Sequence, residues 1–353
     1  ARVLEKLRAA TPIRTAPAGD WLDVGNPDRQ AASHRRLLQT RAFNELEVDA
    51  TFGTITKRSR HVEKFLDEIN YLRTLPKDLA VLFPRVLDYS VEWDNPHLTM
   101  EYYGYPSLAE AFVFENIDAG IWQRVFEHLR DIVQQGFGRY RRPLARGSLR
   151  QMYVDKTRTR LHKVNNAEPL ASLVRAQGAI EINGRSVVPL GALWPKIERA
   201  VEDLEANAMG AIIHGDLCLS NILYDFRSRI VKLIDPRGSF GGTGIYGDPR
   251  YDIAKLYHSV YGLYDFITND LFKIEVDGTN VKLDLRERPP HRAIRTRFEQ
   301  VFFPLFNRRE VLLITALLFA SMVPLHSDAP RRQLAMYARA LQLFDEYFQG
   351  EGA

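Results

Sequence analysis

Cysteine occurs once in the 353 residues, at Cys218, which excludes an intramolecular disulfide and any cysteine-based metal site. That usage fits a cytoplasmic protein. No apolar run is long enough for a membrane span. The longest, Val311–Leu325, is interrupted by Pro324 and reads as a buried helix. Residues 1–20 lack the pattern of a secretory leader. The chain starts without a methionine, so a further domain before Ala1 is expected. Internal repeats and low-complexity segments are absent, and no G-x-G-x-x-G precedes Lys57. Charge is nearly balanced: the formal net charge is +4 and the pI about 9.0. The positive charge is spread along the chain. Its densest run, Asp155–Lys163, reads as a solvated helix face, so an anionic small ligand is expected and a nucleic-acid partner is not.

What is present has a clear order. Residues 1–34 are irregular, with Pro, Gly and Asn-Pro loop signals. From Arg35, "RRLLQTRAFN", "ELEVDAT" and "TITKRS" predict three strands. "HVEKFLDEINYLRTL" places Val62, Phe65, Leu66, Ile69 and Leu72 at helical spacing. "RVLDYSVEW" and "HLTMEYY" predict two more strands. After Tyr105 the pattern is mainly helical, with small hairpins predicted at "AIEINGRSVVPL", through an Asn183–Gly184 turn, and near "FKIEVDGTNVKLDL". The expected fold class is α+β: a small β-rich lobe over 35–103, a short linker near Glu101–Tyr105, and a larger, mainly helical lobe over 104–353.

The stretch "IIHGDLCLSNILYDFRSRIVKLIDPRG", Ile212 to Gly238, sets His214, Asp216, Asn221 and Asp235 among apolar residues. Two strands with a turn at Phe226–Arg229 form a hairpin. Asn221 begins one strand and Asp235 ends the other, so the two become neighbours, with Asp216 on the loop above. Two oxygen donors on a rigid hairpin suit a hard divalent cation such as Mg²⁺. A further carboxylate beside them can orient a hydroxyl nucleophile and accept its proton. With a lysine on the phosphates, these are the parts of a phosphoryl-transfer site.

"HGD", an Asn five residues after the Asp, and "ID" ending fourteen residues after the Asn together resemble the catalytic and metal-binding loops of the protein-kinase-like fold. Gly215 makes the stretch similar to the aminoglycoside phosphotransferase and choline kinase branch, within the phosphotransferase enzyme family. Some relatives of this type lie in bacterial capsule and surface-polysaccharide loci. The resemblance implies a bilobal fold, with ATP and Mg²⁺ as cofactors. It makes Asp216 the catalytic base and Asn221 and Asp235 the metal ligands. His214 takes a structural role, bracing the loop. The partners it implies are ATP and a small-molecule hydroxyl acceptor, a sugar or a surface-polysaccharide precursor. Protein kinases carry Arg where Gly215 stands, and often Lys where Cys218 stands. Both departures, and the missing glycine-rich loop, weigh against a protein Ser/Thr/Tyr kinase. The third reading is a nucleotide-binding regulatory or scaffold domain without turnover; the intact Asp216, Asn221 and Asp235 weigh against it.

The same resemblance implies a strand lysine paired to a helix glutamate. "TITKRS" offers Lys57, and "FLDEINYL" offers Glu68, with Glu63 and Asp67 as competitors. The phosphate-covering turn falls at Arg41–Glu45. Met100 and the segment Glu101–Tyr103 would hold the adenine. "GDPRYDIAKL" opens the next helix, with Asp252 expected to cap it and to support the catalytic loop from beneath. Arg237, Asp248, Arg250 and Lys156 are candidate substrate residues, with helix capping the alternative for Asp248. Arg150, Lys156, Arg158 and Arg160 point to a neutral or anionic acceptor.

Overall fold

A computed structural model of the chain describes residues 44–164, 168–206 and 208–350. The strand expected over 35–44 and the phosphate-covering turn at 41–45 lie outside these residues in all but their last positions.

Four antiparallel strands form the first sheet: β1 (Asn44–Asp49), β2 (Thr54–Ser59), β3 (Val86–Ser90) and β4 (His97–Glu101), in the order β1-β2-β4-β3. Helix α1 (Val62–Thr74) follows β2 directly. Its Phe65 and Ile69, four residues apart, share one face. That face packs on Leu98 and Met100 of β4, with Ile55 and Val86 at the edge, as a small core separate from the main one. Lys57 and Glu68 are buried beside this core.

The remaining elements build a larger, mainly helical body. Helix α2 (Leu108–Phe114) opens on a capping box, in which Ser107 and Glu110 satisfy each other's backbone N–H groups. Helix α3 (Ala119–Asp131) starts at the Asp118 cap and runs into a single turn of wider helix. A similar wide turn over Arg150–Asp155 leads into α4 (Lys156–Leu161). Helix α5 (Leu190–Ala206) packs against that segment. The hairpin of β5 (Ile222–Asp225) and β6 (Ile230–Leu233) turns over Phe226–Arg229, as the sequence predicts. The Asn183–Gly184 turn is present, both residues having the positive φ of 53° and 78° that such a turn requires.

Helix α6 (Pro249–Val260) has Pro249 at its first position, where the missing N–H is no loss. Its cap is Asp248, whose side chain accepts from the Arg250 N–H, not Asp252. The apolar run at 311–325 forms α8 (Arg308–Met322), which packs between α6 and the C-terminal α9 (Pro330–Gln349), after α7 (Pro289–Phe302). By length and composition the helical stretch Arg308–His326, which α8 opens, could cross a membrane, but every residue from Val311 to Met322 is buried within the protein. A core helix accounts for it.

Candidate active site

The β5–β6 hairpin brings the two expected metal-ligating positions together. Leu233 pairs with Ile222, and the Ile234 N–H donates to the Asn221 carbonyl at 3.0 Å. Asn221 Nδ2 donates to the Asp216 carbonyl at 2.9 Å, which turns its Oδ1 the other way. Asp235 sits at φ 57°, a left-handed conformation that costs an L-residue roughly 1–2 kcal/mol. Its carboxylate is 46 % exposed, and Oδ1 accepts from Lys57 Nζ at 2.9 Å. Oδ2 has no partner among the described residues. An amide oxygen and a half-exposed carboxylate oxygen are a donor set that fits Mg²⁺, which completes its shell with phosphate oxygens and water. Among the described residues no cluster of three His, Cys, Asp or Glu side chains could cage a metal without such a ligand.

Lys57 does meet Glu68. Its Nζ donates to both carboxylate oxygens at 2.8 Å, with both side chains buried. Burial works to lower the lysine, but Glu68 and then Asp235 outweigh it and hold the ammonium above the usual lysine range. Helix geometry selects among the three acidic candidates. Glu68 lies on the buried face with Phe65 and Ile69, while Asp67 points to the glycine-rich segment after Asp235 and accepts from Thr243 Oγ1 at 3.1 Å.

The loop that carries Asp216 is held from behind by Asp252. Its carboxylate accepts from the His214 and Gly215 N–H groups at 2.7 and 2.9 Å, and burial pushes it up to about 7. So the expected support role is present, and the capping role is not. His214 is buried, stacked 5.9 Å from Phe83, and accepts from the Asp216 N–H at 3.2 Å. Burial pushes it down to about 4, so the ring is neutral and braces the loop. Gly215 has φ +77°, and a Cβ there would lie 2.8 Å from Arg237 Cβ, so the position takes no other residue without strain. Asp252→Ala leaves two buried N–H groups unpaired and is expected to cost about 2 kcal/mol or more. The shift of the urea unfolding midpoint reads this, and an unchanged midpoint would refute the buttress.

Asp216 has a partner that sequence reasoning missed. Lys255 on α6 is 4 % exposed and places Nζ 2.6 Å from Asp216 Oδ1. The available signal was a lysine inside the apolar turn "DIAKLY", three residues after Asp252.

The expected substrate residues separate into two groups. Asp248 is buried, accepts from Tyr153 Oη at 2.9 Å, and pairs with Arg250 Nε, also at 2.9 Å. Arg250 also reaches Glu310 at 3.1 Å and the Leu204 carbonyl at 3.0 Å. The two form an internal tie between α6, α5 and α8 and do not face a substrate, because each has spent its charge on the other. Arg150 and Arg158 likewise turn toward α5, where Glu198 and Glu202 take them. Arg237 and Lys156, in contrast, sit beside Asp216 around the ring of Tyr251.

At the lobe junction, Met100 is buried. The Glu101 N–H is taken by the Arg85 carbonyl and the Tyr102 N–H by the Gly53 carbonyl, at 3.0 and 2.8 Å. Of the three residues expected to meet adenine, only Tyr103 keeps an unpaired N–H among the described residues. The Glu101 side chain is engaged by Arg85 and by Tyr103 Oη, both at 3.0 Å.

The sequence model of the phosphotransferase enzyme family matches residues 39–268. Among solved structures, a thermostable mutant of aminoglycoside phosphotransferase APH(4)-Ia, in ternary complex with AMP-PNP and hygromycin B, is similar at a TM-score of 0.50 and 12% identity; the match covers 90% of this chain and 93% of that one. An aminoglycoside-3'-phosphotransferase of type VIII matches at 16% identity and a TM-score of 0.43, covering 82% of this chain and 97% of that one. A gentamicin–APH(2")-IIa complex matches at 10% identity and a TM-score of 0.45, covering 90% and 96%. Among curated proteins none matches in sequence.

Proposed function

The chain belongs to the phosphotransferase enzyme family, and on that premise we propose that it transfers the terminal phosphate of ATP to a hydroxyl of a small molecule, with Asp216 as base. The carrying observation is convergence: Asp216, Asn221, Asp235 and the Lys57–Glu68 pair come from three separate segments and meet at one place. The AMP-PNP and hygromycin B bound to the structural neighbour are ligands of the same two kinds, a nucleotide and a small molecule.

Adenine would lie against Met100, with the Tyr103 N–H as donor. Lys57, kept charged by its two carboxylates, would neutralise phosphate oxygens. Asp216 would orient the acceptor hydroxyl and take its proton as the new O–P bond forms and the bond to ADP breaks. Asn221 and Asp235 would hold Mg²⁺, which when bound supplies charge stabilisation on the phosphates. Catalysis of this kind is mostly positioning and electrostatics. A sugar or surface-polysaccharide precursor as acceptor, and a cytoplasmic location beside the ATP pool, complete the reading.

Lys255 would act through Asp216 by fixing its rotamer. Lys255→Met is expected to lower kcat by about 10²-fold, the usual loss for a displaced reactive group, with a smaller change in the KM for ATP. Partial rescue by Lys255→Arg separates positioning from mere folding. An unaltered kcat would refute the role.

The reading as a whole is tested by mass spectrometry of ATP consumption with Mg²⁺ against a pool of sugars, sugar phosphates, polyols and amino sugars. A product heavier by one phosphate is expected. Failure to bind ATP at all would overturn the reading.

A further inference from the structure

The cations around Asp216 divide sharply by whether they have an acid of their own. Lys255 has Asp216 itself. Arg250 has Asp248 and Glu310, and Arg150 and Arg158 have Glu198. Lys156, Arg160 and Arg237 have no carboxylate within salt-bridge distance among the described residues. Yet all three are half-buried and lie close together. Lys156 Nζ and Arg237 Cζ each lie 5.8 Å from the centre of the Tyr251 ring, and Arg237 Nη1 donates to Tyr251 Oη at 2.9 Å. Arg160 is one turn along α4 from Lys156, and its Nη1 donates to the Ser321 carbonyl at 3.3 Å.

Such an arrangement is unfavourable in an empty protein. Like charges one helical turn apart repel, and bonds to neutral groups replace only part of the hydration that half-buried charges lose. The strain is visible on Lys156: burial first, then Arg237, Arg160 and Lys255, hold its ammonium well below the usual lysine range, against the pull of Asp216. An anion among the three would remove the penalty.

Position says which anion. The charges acting on Lys57 are Glu68 and Asp235, on the nucleotide side. Arg237, in contrast, is tied to the loop that carries Asp216: its N–H donates to the His214 carbonyl at 2.9 Å, and its Cβ lies 2.8 Å from where a Cβ on Gly215 would stand. The cluster therefore faces the group that receives the acceptor, not the one that holds ATP.

We propose that the acceptor carries its own negative charge, a phosphorylated or carboxylated small molecule whose anionic group is seated by Lys156, Arg160 and Arg237 while its hydroxyl meets Asp216. This rests on the kinase reading above and adds to it the charge of the substrate.

The test has two arms. The first compares transfer from ATP to glucose 1-phosphate, glucuronate, glucose and glucosamine, with wild type and with the Lys156→Gln/Arg160→Gln double variant. The second measures binding of the same four compounds, by calorimetry, to protein saturated with AMP-PNP. The expected result is an anionic compound preferred over glucose by about 10-fold or more, and that preference lost in the double variant, as two charge-assisted hydrogen bonds predict. AMP-PNP affinity, read separately, reports whether the variant is folded. Phosphate and carboxylate acceptors are told apart by the first two compounds. Equal or better use of glucose or glucosamine overturns the inference and leaves the kinase reading intact. No transfer to any compound counts against the kinase reading, and the binding arm then decides alone: anionic compounds bound no tighter than glucose overturn the inference.

Discussion

Asp216→Asn is expected to lower phosphate transfer by about 10³-fold, within the 10²–10⁴ range that a positioned general base supplies. The replacement keeps the shape of the side chain and removes its basicity. The backbone around it is fixed independently. The Asp216 N–H donates to His214, its carbonyl accepts from Asn221, and Asp252 ties down the two preceding residues. The loop should therefore hold its form, and AMP-PNP affinity should change little. Single-turnover transfer and nucleotide binding, measured on the same preparation, separate the two effects. Equal loss of both would mean that the substitution had damaged the loop, and unchanged transfer would remove Asp216 from the mechanism.

Lys57→Met is the second substitution with a large expected effect. The lysine is 5 % exposed and holds two carboxylates at once, Glu68 at 2.8 Å and Asp235 at 2.9 Å. Its loss would take a positive charge from the phosphates, worth about 10²–10³ in kcat by analogy with other preorganised donors. It would also leave Glu68 buried without a partner, and breaking a buried pair from one side costs about 3–5 kcal/mol. The two consequences are separable. The double variant Lys57→Met/Glu68→Gln removes the orphaned charge, so stability should recover while turnover stays low. A double variant that recovers turnover as well would show that Lys57 acts only on the fold.

The hairpin was readable because its information is local. Two short apolar runs and a four-residue turn determine where Asn221 and Asp235 fall, and no distant contact can change that register without turning apolar side chains to solvent. Lys57 and Glu68 were nearly as plain, since a strand followed directly by a helix leaves few ways to pair them. Helix periodicity could have chosen Glu68 over Asp67 outright, because only position 68 shares the face of Phe65 and Ile69. Arg250 and the substrate-facing alternative for Asp248 fail for the opposite reason, while the capping alternative for Asp248 is present. A charged residue next to a glycine-rich loop looks the same in sequence whether it faces a ligand or a partner such as Glu310, sixty residues further along.

By itself, then, the sequence determined the order of the lobes, the helices and strands that build them, and the short spacings that carry Asp216, Asn221 and Asp235. These follow from periodicity and turn chemistry, which act over a few residues. Tertiary structure alone decided how each charge is spent: Lys255 on Asp216, Asp252 on the backbone of the loop, Arg150 and Arg158 on α5, and Lys156, Arg160 and Arg237 on no acid among the described residues. Pairing is a matter of distances between segments far apart in the chain, and Coulomb energy depends on those distances and on burial, neither of which is written in the spacing of residues.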